Sequence, residues 1–124
     1  MVISKKVQLT SLSTYWNNAY NLVSIDTNKW DTQNWALTSL GSTWSKCYSL
    51  RKLDLNTWNT TNWNITSLSF TWANCSSLKI LKVNNWNTTN WHTTTLSATW
   101  SNCYALETLD LNHWDTENWN VTDL

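Results

Sequence analysis

The residues able to do chemistry are few, and each kind recurs at one spacing. Cys47, Cys75 and Cys103 stand 28 residues apart. A zinc site draws on close pairs of ligands, and none of the three has a near neighbour of that kind. The spacing points instead to a column of buried free thiols acting as small hydrophobes, with Ala19 at the equivalent place one period earlier. Neighbouring cysteines of such a column would lie near disulfide range, but three thiols cannot all pair, so cysteine usage does not fix the redox compartment. His92 and His113 stand alone beside Trp91 and Trp114, and both read as surface residues. Glycine occurs once, at Gly41, so a glycine-rich phosphate loop is absent. A nucleophilic enzyme needs singular residues that break a repeat, and none is present. The chain is therefore read as non-enzymatic, with no cofactor and no metal. The sequons at Asn59, Asn64, Asn74, Asn87 and Asn120 are expected by chance in a chain so rich in Asn and Thr, and matter only in a secreted eukaryotic protein.

Tryptophan is the other chemically capable residue. All 12 fall on a 28-residue grid, in the columns Trp16, Trp44, Trp72, Trp100; Trp30, Trp58, Trp86, Trp114; and Trp35, Trp63, Trp91, Trp119. They read either as sugar-stacking platforms or as a stacked, mostly buried ladder, and the fixed core-like spacing favours the ladder. Burying one aromatic removes about 150–250 Å² from water, worth roughly 4–6 kcal/mol as an upper bound. The column at 35, 63, 91 and 119 is expected to be partly exposed, because polar residues flank it. Indole N–H groups need acceptors, expected from the Asn and Thr columns or from carbonyls.

Elements that hold such columns must themselves repeat. Leu22, Leu50, Leu78, Leu106 and Leu40, Leu68, Leu96, Leu124 keep the register, as do Asn28, Asn56, Asn84, Asn112 and Thr32, Thr60, Thr88, Thr116. One domain spans 1–124: a degenerate half-repeat at 1–15, with Val2 and Val7 at Trp positions; full repeats at 16–43, 44–71 and 72–99; and an incomplete repeat at 100–124. Within a repeat, Leu53-Asp54-Leu55 alternates as a strand does. Leu40, Trp44, Cys47 and Leu50 are spaced 4, 3 and 3, which predicts a short helical turn that Ser42 and Thr43 cap. Asn56 to Asn62 is turn chemistry, and Trp63 and Ile65 then alternate briefly, as a second short strand would. The expected fold is an α/β repeat solenoid, a leucine-rich-repeat-like right-handed coil with a parallel β-sheet, short helical turns and stacked Trp, Leu and Asn ladders.

The motif Trp-x-x-Cys-x-x-Leu-x-x-Leu-Asp-Leu-Asn-x-Trp-Asn-Thr-x-Asn, clearest at Trp44–Asn62 and Trp100–Asn118, resembles the BspA-like leucine-rich repeat family. That family commonly has Phe where this chain has Trp44, Trp72 and Trp100, and its repeat is a little shorter. The resemblance covers nearly the whole chain. It implies a large bacterial or protist surface protein used in adhesion and partner binding, and so a cell-surface or extracellular location. The chain's start, Met-Val-Ile-Ser-Lys-Lys, lacks an apolar signal-peptide core, which leaves a cytoplasmic, virion-associated or larger exported protein open.

Net charge is zero, from 8 basic and 8 acidic residues, and no basic stripe invites nucleic acid. No apolar run is long enough to span a membrane. Two interaction faces stand out. The first is the outward side of the main strand, Ser24, Asp26, Lys52, Asp54, Ile80, Lys82, Thr108 and Asp110, which varies where the core repeats. In leucine-rich repeats this concave strip is the usual binding face, here for a protein or glycan; a merely solvated face would look the same. The second is the pair of ends. Lys5 and Lys6 make the first end basic, while Glu107, Asp110, Asp115, Glu117 and Asp123 make the last end acidic. An unpaired edge at Leu109, Asp110 and Leu111, with Trp114 and Trp119 uncovered, suits copies stacking head to tail into a fibre, shell or virion component. Against a seamless stack, one copy's start would overlap the next one's end.

Overall fold

The computed structural model describes residues 9–28 and 30–124, so Val2, Lys5, Lys6 and Val7 lie outside the described residues. Its local structure follows from where the backbone N–H groups point. Between Leu40 and Leu50 they alternate. The N–H groups of Ser42, Trp44 and Lys46 donate to the carbonyls of Ser69, Thr71 and Ala73, one 28-residue circuit further on, at 2.8–2.9 Å. Those of Thr43, Ser45 and Cys47 reach back three residues, to Leu40, Ser42 and Trp44. The segments starting at Leu12 and Leu68 repeat both sets of bonds. Left-handed residues punctuate each segment: Ser42 (φ 56°) and Lys46 (φ 64°), with Thr14, Asn18, Phe70, Asn74, Ala98 and Asn102 at the matching positions.

The fold class expected from the sequence is thereby corrected. No helix occurs among the described residues, and the strands are two of three residues each, β1 (Lys52–Asp54) and β2 (Ile80–Lys82). The chain is mostly irregular, not an α/β leucine-rich-repeat-like solenoid with helical turns. A helix needs every N–H aimed at the carbonyl four residues back, and here alternate groups leave for the next circuit. Its right-handed path is also broken by two left-handed residues per segment. Ser42 and Thr43 accordingly cap no helix. The second strand expected at Trp63 and Ile65 is absent too, although Asn64 and Thr66 donate to the carbonyls of Leu37 and Thr38 at 2.9 Å.

Successive circuits nonetheless meet in register. Strands β1 and β2 pair in parallel as Lys52↔Ile80, Leu53↔Leu81 and Asp54↔Lys82. Single parallel bridges join Ser11↔Ser39, Ser39↔Ser67, Ser67↔Thr95, Thr95↔Asp123 and Ile80↔Thr108. Each step is 28 residues, so a residue sits over its counterpart and like side chains stack.

The tryptophans fill the space between. Trp16, Trp44, Trp72 and Trp100 form one stack, with ring centroids 5.4, 5.7 and 5.8 Å apart and planes within 10°. Trp63, Trp91 and Trp119 form a second at 6.4 and 6.2 Å. The third column stands edge-on to the second, as in Trp35 against Trp58 at 71° and Trp63 against Trp86 at 66°, an arrangement the ring quadrupole favours. The column expected to be exposed is the most deeply buried: Trp35, Trp63 and Trp91 are 0% exposed, and only Trp119, in the last circuit, is half-buried. Its polar neighbours mark strand-like alternation, with Asn34 and Asn62 outward and Trp35 and Trp63 inward.

Polar columns supply acceptors and donors to the backbone. Thr43 Oγ1 donates toward the carbonyls of Leu12 (3.0 Å) and Leu40 (2.8 Å), and Thr71 and Thr99 repeat this one and two circuits on. Thr32, Thr60 and Thr88 accept the N–H of Asn59, Asn87 and Asp115 at 2.6–2.8 Å. Those oxygens therefore serve the backbone rather than the indoles. Trp86 and Trp114 donate to the carbonyls of Leu55 and Val83, while nine buried indole nitrogens, Trp35, Trp63 and Trp91 among them, have no acceptor. Of the acceptors expected for the indoles, carbonyls serve Trp86 and Trp114, while the Thr column serves the backbone.

Candidate functional site

The strip read from the sequence occupies one outer surface. Ser24, Asp26, Lys52, Ile80, Lys82, Thr108 and Asp110 are exposed, and Asp54 is half-buried. Inward partners anchor it: Leu53 and Leu81 are buried on the opposite side of β1 and β2. Three of its carboxylates have a structural task. Asp26, Asp54 and Asp110 accept the N–H of Asn28, Asn56 and Asn112, two residues on, at 3.0–3.2 Å. These are Asx turns, which end the extended segment in those three circuits. Lys82 takes that position in the third circuit. It lies opposite Asp54 in the register. Ser24, Lys52, Ile80, Lys82 and Thr108 are then the side chains that the strip offers to a partner. A shallow recess of about 230 Å³ lies at its first end, lined by Ser24, Asp26, Thr27, Asn28, Lys52 and Asp54. That is below the range of about 300–1,000 Å³ usual for small-ligand sites, and suits contact with a larger surface.

The ends differ in what can be described. Lys5 and Lys6 lie outside the described residues. At the other end Leu109, Leu111, Trp114 and Trp119 are half-buried, whereas Leu53, Leu55, Trp58 and Trp63 in an inner circuit are buried. Leu124 is 85% exposed. Phe70, Trp72 and Asn74 donate their N–H groups to Ser97, Thr99 and Ser101; among the described residues, Ala98, Trp100 and Asn102 have no such acceptor.

The cysteines form a column with little reactivity. Each thiol donates to a tryptophan carbonyl of an adjacent circuit: Cys47 to Trp16 at 3.2 Å, Cys75 to Trp44 at 3.1 Å and Cys103 to Trp72 at 3.0 Å. All three are free. Burial pushes the Cys47 thiol up to about 11. It raises Cys103 as well, and Cys75 further, first because that thiol is the most deeply buried and then because Cys47 and Cys103 flank it. No group of three or more His, Cys, Asp or Glu able to hold a metal occurs among the described residues. His92 is exposed and approaches Asn64 Oδ1 at 3.1 Å; His113 is exposed in a turn.

A further feature escaped the sequence reading. Tyr20, Tyr48, Ser76 and Tyr104 share one register position, with Tyr20 and Tyr48 stacked at 5.4 Å and 13°. A cleft of about 360 Å³ opens at the one member without a ring, lined by Arg51, Ser76, Ser77, Lys79 and Ala105. The signal was present as a column broken at one place. Comparison of the chain with protein-family models, with curated proteins and with solved structures gave no match.

Proposed function

We propose that the chain is a non-enzymatic interaction module that binds a protein or glycan partner through the strip of Ser24, Asp26, Lys52, Asp54, Ile80, Lys82, Thr108 and Asp110, with Ser24, Lys52, Ile80, Lys82 and Thr108 as its free side chains. The observation that carries this reading is the contrast across β1 and β2. Inward positions keep one chemistry, Leu53 and Leu81, while the exposed positions beside them change from circuit to circuit. A rigid repeated scaffold under a varied surface is how binding faces are generally built. Surface adhesion, at the cell surface or outside the cell, is the role that the resemblance to BspA-like proteins implies. The test is binding of labelled protein to glycan and purified-protein arrays, with Lys52→Glu/Lys82→Glu as the variant. Loss of the captured ligands in the variant, with folding retained, supports the strip. Undiminished capture contradicts it.

A second reading, end-to-end self-assembly, is favoured by the acidic cluster of Glu107, Asp110, Asp115, Glu117 and Asp123. Asp110 and the acidic residues around it would face a basic end. Negative-stain microscopy and light scattering at low and high salt test it: fibres that shorten as salt rises support assembly, and monodisperse particles near 14.5 kDa contradict it.

A further inference from the structure

We propose that the exposed column Thr10, Thr38, Thr66, Thr94 and Thr122 is an ice-binding face, which docks on the ordered water of an ice crystal surface. The inference does not rest on the strip being a binding face.

Three observations converge. The first is invariance at an exposed place. All five threonines are exposed, and each stands 28 residues from the next. Packing explains why the buried columns keep one residue type, but these side chains lie outside the core. The strip, also on the surface, changes from Lys52 to Ile80 to Thr108. Backbone pairing does not require the hydroxyls either. The N–H groups of Thr38, Thr66, Thr94 and Thr122 already donate to the carbonyls of Thr10, Thr38, Thr66 and Thr94, at 2.8–2.9 Å.

The second observation is rigid spacing. Those amide bonds act together with the parallel bridges that run from Ser11 through Ser39, Ser67 and Thr95 to Asp123, at the adjoining residues. They hold successive threonines one strand spacing apart, about 4.7–4.9 Å. Water oxygens repeat at a closely similar distance along one direction of hexagonal ice. The side chains are ordered in advance as well. The hydroxyls of Thr38, Thr66 and Thr94 each donate to the carbonyl of the threonine one circuit before, at 3.2–3.3 Å. Branching at Cβ leaves few other rotamers, so the methyls share one orientation. With its hydrogen committed, each hydroxyl oxygen offers lone pairs to water. A flexible polymer can adapt to an uneven surface, whereas a crystal lattice gains most from equal steps and side chains already fixed.

The third is neutrality. The position two residues earlier holds Ala36, Asn64, His92 and Asn120, and the position four residues earlier holds asparagine in every circuit from Asn34 to Asn118. None of these is Lys, Arg, Asp or Glu. The acids next to these columns in the chain, Glu117 and Asp123, both belong to the last circuit. A charged group holds its own hydration shell strongly and fits poorly against a water lattice. Hydroxyls, amides and methyls join that lattice at little cost.

The experiment grows single ice crystals in solutions of the purified chain. It measures thermal hysteresis and inhibition of recrystallisation, with fluorescently labelled protein imaged on the ice. Faceted growth, hysteresis that rises with protein concentration, and label on the ice surface support the proposal. Thr66→Lys places a charge in the middle of the row at an exposed position. It should lose most of the hysteresis while the protein's own melting temperature stays unchanged. Thr66→Val keeps the branched shape and the methyl, and should retain more hysteresis than Thr66→Lys. Lys52→Glu/Lys82→Glu should leave ice binding intact, which separates its failure from failure of the strip. Absence of hysteresis and of label on ice with the parent chain, or equal activity in Thr66→Lys, would overturn the proposal. So would retention on microcrystalline cellulose without any effect on ice, which would assign the row to a crystalline glycan.

Discussion

At the scale of single residues, the molecule trades hydrogen-bonding completeness for aromatic packing. Nine buried indoles lack acceptors while Trp86 and Trp114 have them. A buried donor left unmade costs about 1–3 kcal/mol. Replacing an unpaired indole by phenyl therefore removes no hydrogen bond, whereas replacing a paired one does. Trp86→Phe should destabilise the fold by about 1 kcal/mol more than Trp63→Phe, read by urea unfolding. Equal losses would show that the indole of Trp63 has a partner after all. The thiols allow a pH prediction. The folded Cys47 value of about 11 lies above its ordinary 9.0. Its contribution is fully present below pH 9 and is lost as pH rises toward 11, because the unfolded thiol ionises first. Cys47→Ala, which copies Ala19, should flatten the fall in melting temperature across that interval. An identical fall in both proteins contradicts the assignment. The columns themselves were plain in the sequence, because identical residues at a fixed interval must stack if the circuits stack. The partners of the Thr and Asn side chains were not, since an oxygen near an indole and a backbone amide can serve either.

At the scale of the element, the segment from Leu40 to Leu50 carries a helical spacing without forming a helix. Its apolar spacing of 4, 3 and 3 fits one face of a helix, and a series of three-residue turns buries the same residues. What separates the two is the destination of alternate N–H groups, and that depends on a neighbouring circuit. A local signal did exist: Asn18, Asn74 and Asn102 all adopt positive φ, and Asn tolerates that region better than most residues. Lys46 holds the fourth place in that column and blurred it. A left-handed conformation costs an L-residue about 1–2 kcal/mol, of which glycine's greater freedom when unfolded returns roughly 0.5–1. Lys46→Gly should thus raise stability by up to about 1 kcal/mol and Lys46→Val should lower it, both read by urea unfolding. In a helix the order reverses, because glycine would then be the poorer residue. Strand β1 was readable from Leu53-Asp54-Leu55, since alternation needs no neighbour to be seen.

At the scale of the whole molecule, the acidic last circuit and the strip make separate claims. If the last circuit's edge mediates assembly, Asp110→Lys or Leu111→Lys should leave the protein folded and block fibre growth, observed by microscopy; unchanged fibre length in both variants contradicts that role. Neither face could be weighed from sequence alone, because exposure follows from which circuits lie above and below. The same is true of the recess lined by Arg51, Ser76, Ser77, Lys79 and Ala105, which draws on three circuits. The whole arrangement rests on residues 28 apart lying against one another. Nuclear Overhauser contacts in isotopically labelled protein test this most directly. Contacts are expected from the Trp44 ring to both Trp16 and Trp72, and between Thr66 and Thr38, with no run of helical contacts through residues 40–50. A continuous helical pattern there, with no contact between residues one circuit apart, would contradict it.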